Sequence, residues 1–135
     1  MDILQTYLDR YKDKPFKWAE LDCTTFAIQY IDERYGTNLY SSSVEARYDD
    51  LETAKAYAIS SGEEWLYVQS ELPTEEVMVG NLKRGDIICY SYDCWSPIAI
   101  MVDDYKVAVV TIKNGLQIVP LHNLQGIVKI LRIKE

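Results

Sequence analysis

The chain has few of the residues that most often carry metal or covalent chemistry. Its 135 residues include one histidine, His122, and three cysteines, Cys23, Cys89 and Cys94. Cys89 and Cys94 stand far from Cys23 and His122, which does not match the paired spacing of zinc ligands, so neither a metal nor another cofactor is expected. An odd number of thiols leaves one over in any disulfide scheme, and a chain of this length can build a core without staples. The cysteines are therefore expected to be reduced. Long apolar runs are also missing: the stretch from Pro97 to Val102 is far below the roughly 20 residues that span a bilayer, and no membrane insertion is expected. The first residues, MDILQTYLDRYKDK, mix charged with apolar side chains and lack the apolar core of an export signal. Basic charge is scarce as well. Lys and Arg number 14 against 21 Asp and Glu, leaving a formal charge of −7 and a pI near 4.7. Nucleic-acid affinity is built mainly from clustered cations, so nucleic acid is not an expected partner.

What is present suits one folded unit, expected to span residues 1–135, with 48% hydrophobic residues to supply a core. Eleven tyrosines stand against two phenylalanines. Tyrosine suits half-buried sites, where the ring packs and the hydroxyl finds a partner. Ile3, Leu4, Tyr7, Leu8 and Tyr11 recur at helical spacing ahead of Pro15. A second helix is predicted from Asp22 to Tyr35, with Phe26, Ala27, Tyr30, Ile31 and Tyr35 on one stripe. Asp22 is a good N-cap for it and Gly36 a good stop. Further helices are expected over 44–59 and 63–71.

The character changes at Leu82, where Lys83-Arg84-Gly85-Asp86 makes a turn into Ile87-Ile88-Cys89-Tyr90. The stretches from Pro97 to Val102, Lys106 to Ile112, Leu116 to Pro120 and Gly126 to Ile133 are also rich in Val and Ile. Asp103-Asp104 and Asn114-Gly115 are turn signals between them. Helices first and a meander second predict an α+β domain, with N-terminal helices packed on a C-terminal antiparallel sheet of about five strands.

Cys23 is the residue with the most chemical promise. Following Asp22 directly, it is expected in the first turn of a helix, where unpaired N–H groups and the dipole favour a thiolate. The adjacent carboxylate acts in the opposite sense. The plainer reading is a small buried apolar residue.

Cys23 has a recognisable context: Pro15-Phe16-Lys17-Trp18, three residues, then Asp22-Cys23 opening a helix, and later Leu82-Lys83-Arg84-Gly85-Asp86-Ile87 opening a sheet. This resembles the NlpC/P60-like branch of the papain-like thiol hydrolases, and more closely a group of short phage and prophage proteins often associated with tail genes. The resemblance runs from about residue 4 to residue 133. In that branch a segment like Phe-x-Trp-Gly precedes Asp-Cys; here Ala19 replaces the glycine. The resemblance implies that Cys23 stands at the nucleophile's position. It also implies that the histidine which would deprotonate the thiol opens the strand after the Gly-Asp strand. The corresponding stretch here is Pro97-Ile98-Ala99-Ile100-Met101, with Pro97 at the histidine's place. Proline can neither take nor give that proton.

His122 could substitute as base only if its turn lies beside Cys23, the ordinary alternative being an exposed turn residue. Cys94, just ahead of Pro97, is a candidate partner for Cys23. Trp18, Asp22 and Trp95 are candidates for binding a substrate or partner, the alternative for the two tryptophans being the edge of the core.

Two functions follow as expectations from the resemblance. The first is a phage virion or tail-assembly protein on a catalytically degenerate NlpC/P60-like domain, structural rather than enzymatic. It would be partnered by other phage structural proteins, form an oligomer within an assembly, and reach the virion after assembly in the host cytoplasm. The second is a cysteine hydrolase of peptidoglycan peptides or isopeptide bonds in phage entry or tail maturation, using Cys23 and His122. An intracellular adaptor that never enters the particle is a third.

Overall fold

Helix α1 (Ile3–Tyr11) starts where the Asp2 carboxylate accepts the Gln5 N–H at 3.1 Å, and it buries Leu4, Tyr7 and Leu8. That Gln5 bond, helped by Arg84, holds the Asp2 carboxyl below its ordinary pKa. The computed structural model describes residues 2–41, 48–54, 56, 71–91, 97–103, 105–124 and 126–134. Helix α2 (Thr25–Tyr35) lies against α1: the Tyr7 hydroxyl donates to the Phe26 carbonyl at 3.0 Å, and the Tyr7 ring packs on Tyr11, Phe26 and Tyr30. Gly36 ends α2 in the left-handed region at φ 72°, as its position predicts. Of the helix expected over 44–59, residues 51–54 are helical. Most of the rest of that segment, and nearly all of 63–71, lies outside the described residues.

The sheet has six strands among the described residues: β1 (Thr74–Glu76), β2 (Ile87–Tyr90), β3 (Ile98–Asp103), β4 (Lys106–Thr111), β5 (Gly115–Pro120) and β6 (Ile127–Ile133). They stand in the order β1-β6-β2-β3-β4-β5, each antiparallel to its neighbour. The protein is therefore α+β. Strands β2 to β6 fall on the five expected segments, but the expected count of five is corrected to six. Thr-Glu-Glu carries no apolar strand signal. It becomes β1 only by pairing along β6, Thr74 opposite Ile133 and Glu76 opposite Leu131.

Side chains along the central strands alternate between two cores. Ile87, Cys89, Ile98, Ile100, Val102, Ala108 and Val110 join the helices' Leu4, Tyr7, Phe26 and Ile31. Ile88, Ala99, Met101, Val107 and Val109 form a second cluster with Val77, Leu121 and Ile130. Burial of both faces explains why these strands read as unbroken apolar runs instead of alternating with polar residues.

The turn from β4 to β5 is pressed onto the chain that leaves α1. Gly115 sits at φ 68°, and a Cβ there would lie 2.6 Å from the Lys14 carbonyl oxygen. Only glycine allows that approach, which brings the turn beside Phe16.

Candidate functional site

The local structure around Cys23 is dictated by Asp22. One carboxylate oxygen, Oδ1, accepts the N–H groups of Thr24 and Thr25, both at 2.9 Å. Oδ2 accepts the Ala19 N–H at 2.9 Å and the Tyr48 hydroxyl at 2.6 Å. The Asp22 N–H in turn donates to Thr25 Oγ1 at 2.8 Å, a reciprocal box across the helix start. This moves the beginning of α2 from the expected Asp22 to Thr25. Cys23 consequently lies in the turn ahead of the helix, not within its first turn.

Ala19 occupies φ 64°, in the left-handed region that glycine adopts without strain. Its carbonyl accepts the Tyr40 hydroxyl. Releasing about 1 kcal/mol of backbone strain should offset the loss of a buried methyl, about 0.8 kcal/mol. Ala19→Gly is therefore expected to change stability by less than about 0.5 kcal/mol once the freedom of unfolded glycine is included. Ala27→Gly inside α2, where the side chain is also buried, should cost about 1.5 kcal/mol. Urea midpoints of the two variants check this; equal losses would rule out strain at Ala19.

Beside Cys23 lies a groove of about 250 Å³. Phe16 and Trp18 form one wall, Tyr90 and Pro97 come from the facing ends of β2 and β3, and Val110 and Thr111 at the end of β4 are followed by Ile112 and Lys113 of the β4–β5 turn. Two backbone bonds set this arrangement. The Ile98 N–H donates to the Cys23 carbonyl at 3.0 Å, and the Tyr90 N–H donates to the Pro97 carbonyl at 3.1 Å. Trp18 is held edge-on between Phe16, 4.7 Å between ring centroids, and Tyr48, at 6.2 Å. Since Tyr48 also bonds Asp22, the carboxylate that shapes the Cys23 turn also orients the tryptophan.

The structure thus brings Cys23, Trp18 and Pro97 to one groove. Asp22 lies beneath it, 1% exposed, with its carboxylate consumed by four donors; it positions the groove and does not face a ligand. His122 is not brought there. It is exposed in a single 3-10 turn after β5, whose six residues carry the chain roughly 17 Å from the groove end at Gly115. Cys89 is fully buried in the helix-side core. Trp95 and Cys94 lie outside the described residues.

Tyr90 and the β4–β5 turn line the groove and Tyr48 backs Trp18, and no local pattern in the sequence marks them for this. Asn114-Gly115 is legible as a turn, but its seat on Lys14 is not. Among the described residues the groove offers a thiol, aromatic faces, Thr111 and Lys113, and neither an imidazole nor a carboxylate lines it. Among the same residues no group of three or more His, Cys, Asp or Glu side chains is arranged to hold a metal ion, and no helix is long and apolar enough to cross a membrane.

A family model described as a domain of unknown function (DUF6950) matches residues 2–130, so the chain belongs to that family. A comparison with curated proteins finds no match.

Proposed function

We propose that this DUF6950 domain is a phage virion or tail-assembly component, built on a papain-like NlpC/P60-type fold that has lost the means of hydrolysis. The observation that carries the reading is the juxtaposition of Cys23 with Pro97. The strand that would present a base to the thiol is bonded to Cys23 through Ile98, and the residue just ahead of it is a proline in the same groove. Among the described residues neither an imidazole nor a carboxylate lines the groove, and a leaving amine that goes unprotonated costs about 10² to 10⁴ in rate. The left-handed Ala19 also supports the papain-like reading, since it stands where the resembling hydrolases carry glycine.

Two measurements test the proposal. Alkylation of Cys23 between about pH 5 and 9, followed at its own peptide by mass spectrometry, should report an apparent pKa at or above about 8.5. A value well below that, together with turnover of a peptidoglycan peptide, would establish the hydrolase instead. In the virus, the protein should copurify stoichiometrically with particles, and Cys23→Ala should leave assembly and infectivity intact. Normal particles made non-infectious by Cys23→Ser would sink the structural reading, and absence from particles would favour an intracellular adaptor.

A further inference from the structure

The second cavity lies at the other end of α2 from Cys23 and has the opposite chemistry. It encloses about 520 Å³ and is lined by Arg34 from the last turn of α2, Lys83 and Arg84 from the turn before β2, and Arg132 and Lys134 from the end of β6. Five of the chain's 14 cationic side chains therefore converge on one concavity of a protein with net charge −7. Among the described residues the acids lining it are Glu75 and Asp86.

The fold accounts for part of this set. Arg132 is paired with Asp86 at 2.8 Å, Arg84 with Asp2 at 2.7 Å, and Arg34 donates to the Tyr30 hydroxyl at 2.8 Å. Lys83 and Lys134 are different: both are exposed, and no ion pair engages either side chain among the described residues. Nothing in the packing calls for two further ammonium groups beside three guanidiniums, and like charges brought together repel. Gly85 leaves the space between them open. It sits at φ 92°, and a Cβ there would come within 3.3 Å of Arg34 Nη1.

We propose that this cavity binds a small organic phosphate. A phosphate monoester carries close to two negative charges and three acceptor oxygens. That suits Lys83 and Lys134, the lining ammonium groups that no ion pair engages among the described residues, with planar guanidinium forks beside them. The volume falls within the range of small-molecule sites. Asp103, 3.8 Å from Arg84, and Glu76, which lines the adjoining concavity with Glu75 and Lys83, place negative charge beside the cavity and disfavour an extended polyanion.

Calorimetric titration of the full chain at constant ionic strength tests this, with inorganic phosphate, glycerol phosphate and succinate as probes. The two phosphates should bind one per chain, and succinate more weakly. Lys83→Gln with Lys134→Gln should weaken phosphate about tenfold while leaving Tm within about 2 °C, because both side chains are exposed. Absence of saturable phosphate binding up to about 10 mM would overturn the proposal, as would affinity unchanged in the double variant. Succinate binding as tightly as phosphate would also overturn it, in favour of a carboxylate site. A phosphoserine peptide binding more tightly than glycerol phosphate would place the ligand on a partner protein and overturn the small-molecule assignment.

Discussion

Asp86→Ala is expected to lower the unfolding free energy by about 3 kcal/mol, enough to remove a large share of the stability of a small domain. The side chain is 3% exposed and holds three donors. Its Oδ1 accepts Arg132 Nε at 2.9 Å, and its Oδ2 accepts Arg132 Nη2 at 2.8 Å and the Lys83 N–H at 2.7 Å. The bidentate pair ties the start of β2 to the end of β6, its neighbour in the sheet, and the Lys83 bond closes the turn that Gly85 makes. Truncation leaves a guanidinium without its carboxylate and a backbone donor without an acceptor. Because Arg132 keeps 24% exposure and a bond to the Asn81 carbonyl, the loss should sit at the lower end of the range for broken buried pairs. Asp86→Asn should cost about 2 kcal/mol, since the amide keeps one acceptor oxygen and sets its NH2 against donors that the other carboxylate oxygen had met. Urea unfolding should show a lower midpoint at unchanged slope. In a double-mutant cycle, Arg132→Met should add much less once Asp86 is already alanine. A loss below about 1 kcal/mol for Asp86→Ala, or strict additivity in the cycle, would mean that the pair does not hold the sheet.

Asp22→Ala should cost a similar amount, about 3 to 4 kcal/mol, and should also change the groove. Removing the carboxylate leaves the N–H groups of Ala19, Thr24 and Thr25 and the Tyr48 hydroxyl without their acceptor, in a place where Asp22 itself is 1% exposed. Each unsatisfied buried group costs about 1 to 3 kcal/mol before relaxation or water entry repays some of it. The helix start would loosen with the turn that carries Cys23. Tyr48 would lose the bond that keeps it against Trp18. Two readouts follow beyond stability: tryptophan emission should shift to the red, and alkylation of Cys23 under native conditions should accelerate. Asp22→Asn keeps an Oδ1-like acceptor for Thr24 and Thr25 but loses the Ala19 bond, so it should fall between wild type and alanine. Lost stability without change in either readout would confine Asp22 to helix capping and separate it from the groove.

Both carboxylates were conspicuous in the sequence, for reasons only partly matched by their roles. Asp22 is legible as the neighbour of a candidate nucleophile and as a helix cap; the cap position is Thr24, and Asp22 acts from two residues ahead of it by accepting the Thr24 and Thr25 N–H groups. Asp86 marked a turn, and its pairing with Arg132 could not be read because 46 residues separate the two. Pro97 was placed at a histidine's position by resemblance alone; the Ile98 bond to the Cys23 carbonyl is what puts it in the thiol's groove.

The sequence by itself determined the local elements: α1, α2, the five apolar strands, the Gly36 stop and the turns at Gly85 and Gly115. Side-chain periodicity and turn chemistry are properties of contiguous residues, and both are written along the chain. Only the tertiary structure decided the rest. Strand order seats β1 beside β6, carries His122 to the far end of β5, turns the β4–β5 hairpin onto Lys14, and gathers five cations from α2, the Gly85 turn and β6. These are contacts between segments distant in sequence. They follow from which faces must be buried together, and no local pattern records them.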